Sequence, residues 1–269
     1  MRRASLWAGV VLIGFVVVTA VVSRLWSPFD PVMPVGTRLL PPGWPCVLGT
    51  DAFGRDVASR LMVGAQGCLW VGIVAVGIAA LVGVPLGLLS AGLKGPASEV
   101  LLRATDVAQA FPALLLALLL AGAFGGNTVT AMIAIGLAAV PQFLRIARAG
   151  ALTVLASDFV LAARACGIGR VAIARTHVLP NIAPLVGVQA SVTFAMAILA
   201  EAALSYLGLG TQPPTPSWGS MLRDAQSVLF VDPLLAVWPG LAIAVAVLGF
   251  NLLGDGLRDL LDPRLREVA

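Results

Sequence analysis

The chain has 269 residues, 59% of them hydrophobic and only 11% charged, with a mean hydropathy of +0.99. Soluble proteins carry about a quarter charged residues, so a soluble enzyme or binding domain is excluded and an all-α integral membrane protein is expected. The formal net charge of +4 would suggest nucleic acid in a soluble protein. In an apolar chain it reflects Lys and Arg held on the cytoplasmic side of a membrane, so the expected contact is lipid and not nucleic acid.

Met1-Arg2-Arg3 precedes an apolar run from Leu6 to Val22. That run is longer than the apolar core of a signal peptide, and Ser23-Arg24-Leu25-Trp26 makes a poor cleavage site. The reading is an uncleaved first helix near Leu6–Leu25 with its amino terminus inside. Ser27 to Gln66 then forms an outer segment, opening with Pro28, Pro31, Pro34, Pro41, Pro42 and Pro45. From Asp56 a helix is expected, with Val57, Leu61 and Gly64 on one side. Spanning the hydrocarbon core takes about 20 apolar residues, which places further helices near Gly67–Leu93, Val100–Phe124 and Thr128–Ala149. The chain has 29 glycines, and Gly83 and Gly87 make a small-x-x-x-small step suited to close helix contact. Asp106 is expected near the inner end of the third helix, either lining a translocation path or meeting Arg103 or solvent. Arg145 and Arg148 end the fourth helix, where the helix dipole and anionic headgroups favour them as anchors.

Residues 150–183 differ from their surroundings. Each Arg at a helix centre in lipid costs about 2.5–3.5 kcal/mol, so Arg164, Arg170 and Arg175 place this segment outside the bilayer. It reads as two short helices broken at Gly167-Ile168-Gly169 and stopped at Pro180. Phe159, Ala162, Ala163 and Cys166 fall at helical spacing and form one face of small apolar groups. A smooth face with cationic edges suits docking onto another protein; the alternative is an amphipathic segment lying on the membrane surface.

A fifth helix is expected near Pro184–Leu209 and a sixth near Leu234–Gly254. Glu201 lies inside the fifth. It either lines a translocation path or bonds a neighbouring helix and fixes packing. Gly210 to Asp232 is a second outer segment containing Gln212-Pro213-Pro214-Thr215-Pro216-Ser217-Trp218-Gly219, where Trp218 also suits an aromatic-belt position. Six crossings place both termini, the Lys94–Glu99 turn and the 150–183 loop in the cytoplasm. Of the 17 Lys and Arg, only Arg24, Arg38, Arg55, Arg60 and Arg223 are then outside, as the positive-inside rule requires. Cys46, Cys68 and Cys166 have no C-x-x-C spacing; Cys46 and Cys68 could pair on the outer face.

Motifs for catalysis are missing. Gly87-Leu88-Leu89-Ser90-Ala91-Gly92 has the glycine spacing of a P-loop, but Leu93-Lys94-Gly95 follows in place of Gly-Lys-Ser/Thr. One histidine cannot make an H-E-x-x-H zinc site, and no G-x-S-x-G elbow occurs. No enzyme activity, cofactor or metal is expected in this chain.

Ala162, Ala163, Gly167, His177, Leu179 and Pro180 resemble the cytoplasmic coupling loop of bacterial ABC-importer permeases. The first position departs, with Leu161 where the family has Glu. Leu48-Gly49-Thr50-Asp51, Gly54-Arg55-Asp56, Glu201-Ala202-Ala203-Leu204-Ser205-Tyr206-Leu207-Gly208-Leu209-Gly210 and Asn251-Leu252-Leu253-Gly254-Asp255-Gly256-Leu257-Arg258-Asp259 with Asp262-Pro263-Arg264 are similar to C-type permease subunits of dipeptide, oligopeptide and nickel importers. The resemblance covers nearly everything from Leu48 to Arg266. It implies a type I ABC-importer permease fold of about six transmembrane helices. Residues 1–66 would supply the first helix and an extracytoplasmic segment, and 67–269 the permease core. It implies a bacterial inner membrane, a second homologous permease subunit, two ATPase subunits holding ATP and Mg, and an extracytoplasmic substrate-binding protein. Phe159, Ala162, Ala163, Gly167, His177, Leu179 and Pro180 would then meet the ATPase. No His, Cys or Met cluster lies along the apolar spans to suit nickel, so peptide cargo is favoured over nickel, chelated metal or haem. Two readings from other classes are an ion-gradient-driven secondary transporter, which would show inverted repeats, and a membrane assembly protein without transport.

Overall fold

A computed structural model describes residues 2–93 and 95–261; Lys94 and the expected Asp262–Arg266 features lie outside the described residues. The elements in chain order are α1 (Arg2–Leu25), α2 (Val57–Gly92), α3 (Pro96–Ala110), α4 (Ala113–Phe124), α5 (Thr128–Leu155), α6 (Asp158–Ala165), α7 (Arg170–Ile173), a π turn (Ala174–Val178), α8 (Leu179–Tyr206), α9 (Trp218–Gln226) and α10 (Leu234–Leu261). Among the described residues five helices are long and apolar enough to cross a membrane, or six if the bent pair of α3 and α4 is counted as one span.

Local chemistry sets the boundaries. Asp56 caps α2: its carboxylate accepts from the Ser59 backbone N–H at 2.8 Å and from the Ser59 hydroxyl at 2.7 Å. The helix expected from Asp56 and the span expected from Gly67 are therefore one rod of 36 residues. At 1.5 Å per residue it is roughly 54 Å long against a hydrocarbon core of about 30 Å, so its first turns stand clear of lipid. The third expected span is not straight. It bends by 82° between α3 and α4, because Pro112 pushes Phe111 out of helical backbone, to φ −81° and ψ 125°. Pro180 does not stop the chain either. Leu179 donates its N–H to Ala174 across the π turn, and Pro180 sits in the first turn of α8, where a missing N–H does no harm.

Glycine lets the helices meet at backbone distance. A Cβ on Gly83 would lie 2.6 Å from the Phe143 Cβ and 2.7 Å from the Val140 carbonyl, and one on Gly87 would lie 2.7 Å from the Ala147 Cβ. The expected small-residue step thus seats α2 on α5. On the other flank Gly9 and Gly256 hold α1 against α10. Between them Phe194 of α8 stacks on Phe250 of α10, centroids 3.9 Å apart.

Replacing Gly87 by Leu drives side-chain carbons into α5 and is expected to cost at least about 1–3 kcal/mol. Gly77, with open space at its Cβ, should accept Ala without loss. Thermal unfolding of the detergent-purified protein checks both: a lowered midpoint for G87L and none for G77A.

Candidate functional site

The 156–183 segment has two opposite faces. Val160 and Ala163 are buried, and Val160 joins Ala147 and Ala151 of α5, Ile173 and Val178, and Ile182 of α8 in one apolar cluster. Phe159 and Leu161 are about half exposed, at 49% and 52%, and Val171 is 82% exposed. Ala162, Cys166 and Gly167 are exposed as well. Of the expected contact face, Phe159, Ala162 and Cys166 therefore point outward, while Ala163 turns inward and anchors the helix. Leu179 and Pro180 are exposed at the start of α8.

Two local features hold this shape. Gly167 has φ +80°, a conformation that costs an L side chain about 1–2 kcal/mol. It closes α6 as a Schellman motif, with Gly167 N–H donating to Arg164 C=O at 3.0 Å and Ile168 N–H to Ala163 C=O at 3.1 Å. His177 stacks on Phe159 at 6.2 Å between centroids, and its Nδ1 lies 2.7 Å from the Thr176 hydroxyl. The stack ties the outward edge of α6 to the π turn. Asp158 in the first turn and Arg164 in the last both suit the helix dipole.

Elsewhere the charged residues find partners that sequence spacing did not reveal. Asp106 pairs with Arg145 of α5, and not with Arg103, whose partner is Glu99 at 3.7 Å. Since α5 continues to Leu155, Arg145 and Arg148 do not end it. Arg145 is an interhelical partner, and Arg148 has a buried Nε without a hydrogen-bond partner among the described residues. Glu201 is buried. Its Oε1 accepts from Ser205 Oγ at 2.6 Å and from Thr211 Oγ1 at 3.3 Å, and the Ser205 hydroxyl in turn accepts from the Thr211 N–H at 2.9 Å. The carboxylate thus pins the loop after α8 to α8 itself.

Two further features escaped sequence reasoning. Arg55 bridges Asp51 at 2.8 Å and Asp224 at 3.3 Å, and Arg60 lies 3.5 Å from each. This alternating ring of four charges fastens the proline-rich segment to α9. Trp218 is not a belt residue. It is buried at 4% exposure over the gap left by Gly64, and its indole N–H donates to the Leu61 carbonyl at 3.0 Å. Cys46, Cys68 and Cys166 are free thiols, so the pairing of Cys46 with Cys68 is not formed. Burial, with Asp56 nearby, pushes the Cys46 thiol above its ordinary pKa.

Residues 83–267 match the family of binding-protein-dependent transport system inner membrane components. A putative peptide transport system permease of Brucella suis is 41% identical over 268 residues, covering 99% of this chain and 90% of that protein. The dipeptide transport system permease of Escherichia coli K12 is 42% identical over 278 residues, covering 99% and 91%. The di/tripeptide transport system permease of Pseudomonas aeruginosa is 40% identical, covering 97% and 88%.

If Gly167 serves its left-handed turn, Asn, which tolerates that region, should substitute better than Ala. Limited proteolysis of the 156–183 segment is expected to be slow for wild type and G167N and faster for G167A.

Proposed function

The chain belongs to the family of inner-membrane components of binding-protein-dependent transport systems, a permease of the type I ABC-importer fold, and from that premise we propose that it carries di- and oligopeptides inward as half of a transmembrane pathway. The named relatives that are permeases of peptide, dipeptide and di/tripeptide systems support this cargo. The other half would be a second, homologous permease subunit. Two ATPase subunits in the cytoplasm would bind and hydrolyse ATP with Mg, and an extracytoplasmic binding protein would deliver the peptide. Both termini and the 156–183 segment then lie in the cytoplasm. This chain itself performs no hydrolysis.

The observation that carries the reading is the two-sided build of α6. Val160 locks it to α5 and α8, while Phe159, Leu161 and, on α7, Val171 present apolar surface beside Arg164, Arg170 and Arg175. Apolar groups exposed on a segment too cationic to lie in lipid call for a protein partner. With ATP drawing the ATPases together, displacement of α6 would pass into α5 and α8 and switch the path between inside and outside. Leu161 takes the place where the family has Glu, so docking here leans on apolar packing and not on an acidic contact.

Replacing Gly167 by Asp sets a negative charge at the contact. It is expected to abolish peptide uptake by reconstituted transporter and to weaken ATPase co-purification, with membrane insertion intact. Replacement by Asn should preserve uptake. Normal uptake by G167D would contradict the docking surface.

A further inference from the structure

A polar face interrupts the apolar surface of the bundle halfway along α5 and α8. Gln142 stands near the middle of the 28-residue α5 and is exposed. Gln189 of α8 donates its Nε2 to the Gln142 Oε1 at 3.1 Å and to the Thr193 hydroxyl oxygen at 3.0 Å. The Gln142 amide nitrogen has no partner among the described residues. One helical turn further along α5, roughly 4.5 Å on the axis, Arg145 meets Asp106 of α3, and both of those side chains are about half exposed.

An amide and an ion pair turned toward hydrocarbon would lose hydration without compensation. Polar groups at membrane depth are tolerated where they are buried in protein or face a water-filled cavity, and these are not buried in their own chain. A pair serving only to glue α5 to α8 would be enclosed between the helices. Gln142 is not enclosed.

We infer that Gln142 and Gln189 form the contact of this subunit with the passing peptide, and that Asp106 and Arg145 meet its charged ends on the cytoplasmic side of that contact. The inference rests on the peptide reading above for its ligand. Each peptide bond offers one N–H donor and one C=O acceptor, and a glutamine amide supplies one group of each kind. Such a contact is neutral and blind to side chains, as a path for peptides of mixed sequence requires. A peptide's ammonium fits Asp106 and its carboxylate fits Arg145, so the ion pair holds both charges in compensated form while the path is empty.

The test uses the assembled transporter, with its ATPases and binding protein, in proteoliposomes. Q142C and Q189C are expected to react with a water-soluble thiol reagent at least about tenfold faster than L81C, whose parent Leu81 is 79% exposed on α2. Q142L and Q189L should lower dipeptide uptake by roughly tenfold, the scale of one lost hydrogen bond to a desolvated partner, while binding-protein-stimulated ATP hydrolysis persists. Labelling no faster than L81C would overturn the pathway assignment, leaving the pair as lipid-facing or sealed against a partner. Unchanged uptake by both Leu variants would overturn the substrate contact. Absence of peptide uptake by the wild-type assembly would refute the peptide cargo and with it the amide contact, whereas the labelling contrast judges the pathway assignment independently of cargo.

Discussion

The seat of α6 governs what this molecule can do. Val160 has no solvent exposure, and it is packed among side chains from α5, α8 and the turn between α7 and α8. A short exposed helix held in this way is mechanically part of the two long helices behind it. Packed interiors are close to crystal density and transmit displacement, so force applied at Phe159 or Val171 reaches α5 and α8 without being absorbed in a flexible loop. The Schellman turn at Gly167 and the stack of Phe159 on His177 remove the remaining freedom.

The same requirement runs through the rest of the bundle. Lipid gives helices no hydrophobic reason to associate, so contact must come from close packing. Gly83 and Gly87 of α2 against α5, Gly9 and Gly256 between α1 and α10, and Gly64 beneath Trp218 all bring main chain within reach of a neighbour. Where α2 starts and α8 ends, polar groups supply the specificity that packing lacks. The Asp51–Arg55–Asp224–Arg60 ring and the Glu201–Ser205–Thr211 cluster fasten the segments before α2 and after α8 to the helices. The ring pairs its charges with one another and the Glu201 carboxyl accepts hydroxyl hydrogen bonds, which is how buried polar groups remain tolerable.

Much of this was legible in the sequence because hydropathy and membrane thickness restrict an apolar chain to helices. The cationic 150–183 segment, its break at Gly167 and the Gly83–Gly87 step all follow from local residue chemistry. Non-local features did not. Asp106 and Arg145 are 39 positions apart and Arg55 and Asp224 169 apart, so spacing offered only the nearer Arg103. The inward turn of Ala163 was hidden because the periodicity of α6 marks a face without saying whether that face meets its own bundle or a partner. The break at Phe111-Pro112 did carry a signal, since the residue before proline resists helix, but the apolar residues on both sides of it read as a single span. Pro180 misled in the opposite sense: a π turn lets the helix pass through.

The central claim is that the outward face of α6 and α7 rests on a cytoplasmic ATPase. The most direct measurement places a photo-cross-linking amino acid at Val171 in the intact cell and identifies what it captures. An adduct with the ATPase subunit is predicted, lost when the ATPase is deleted. Capture of lipid alone, or of an extracytoplasmic protein, would contradict the account.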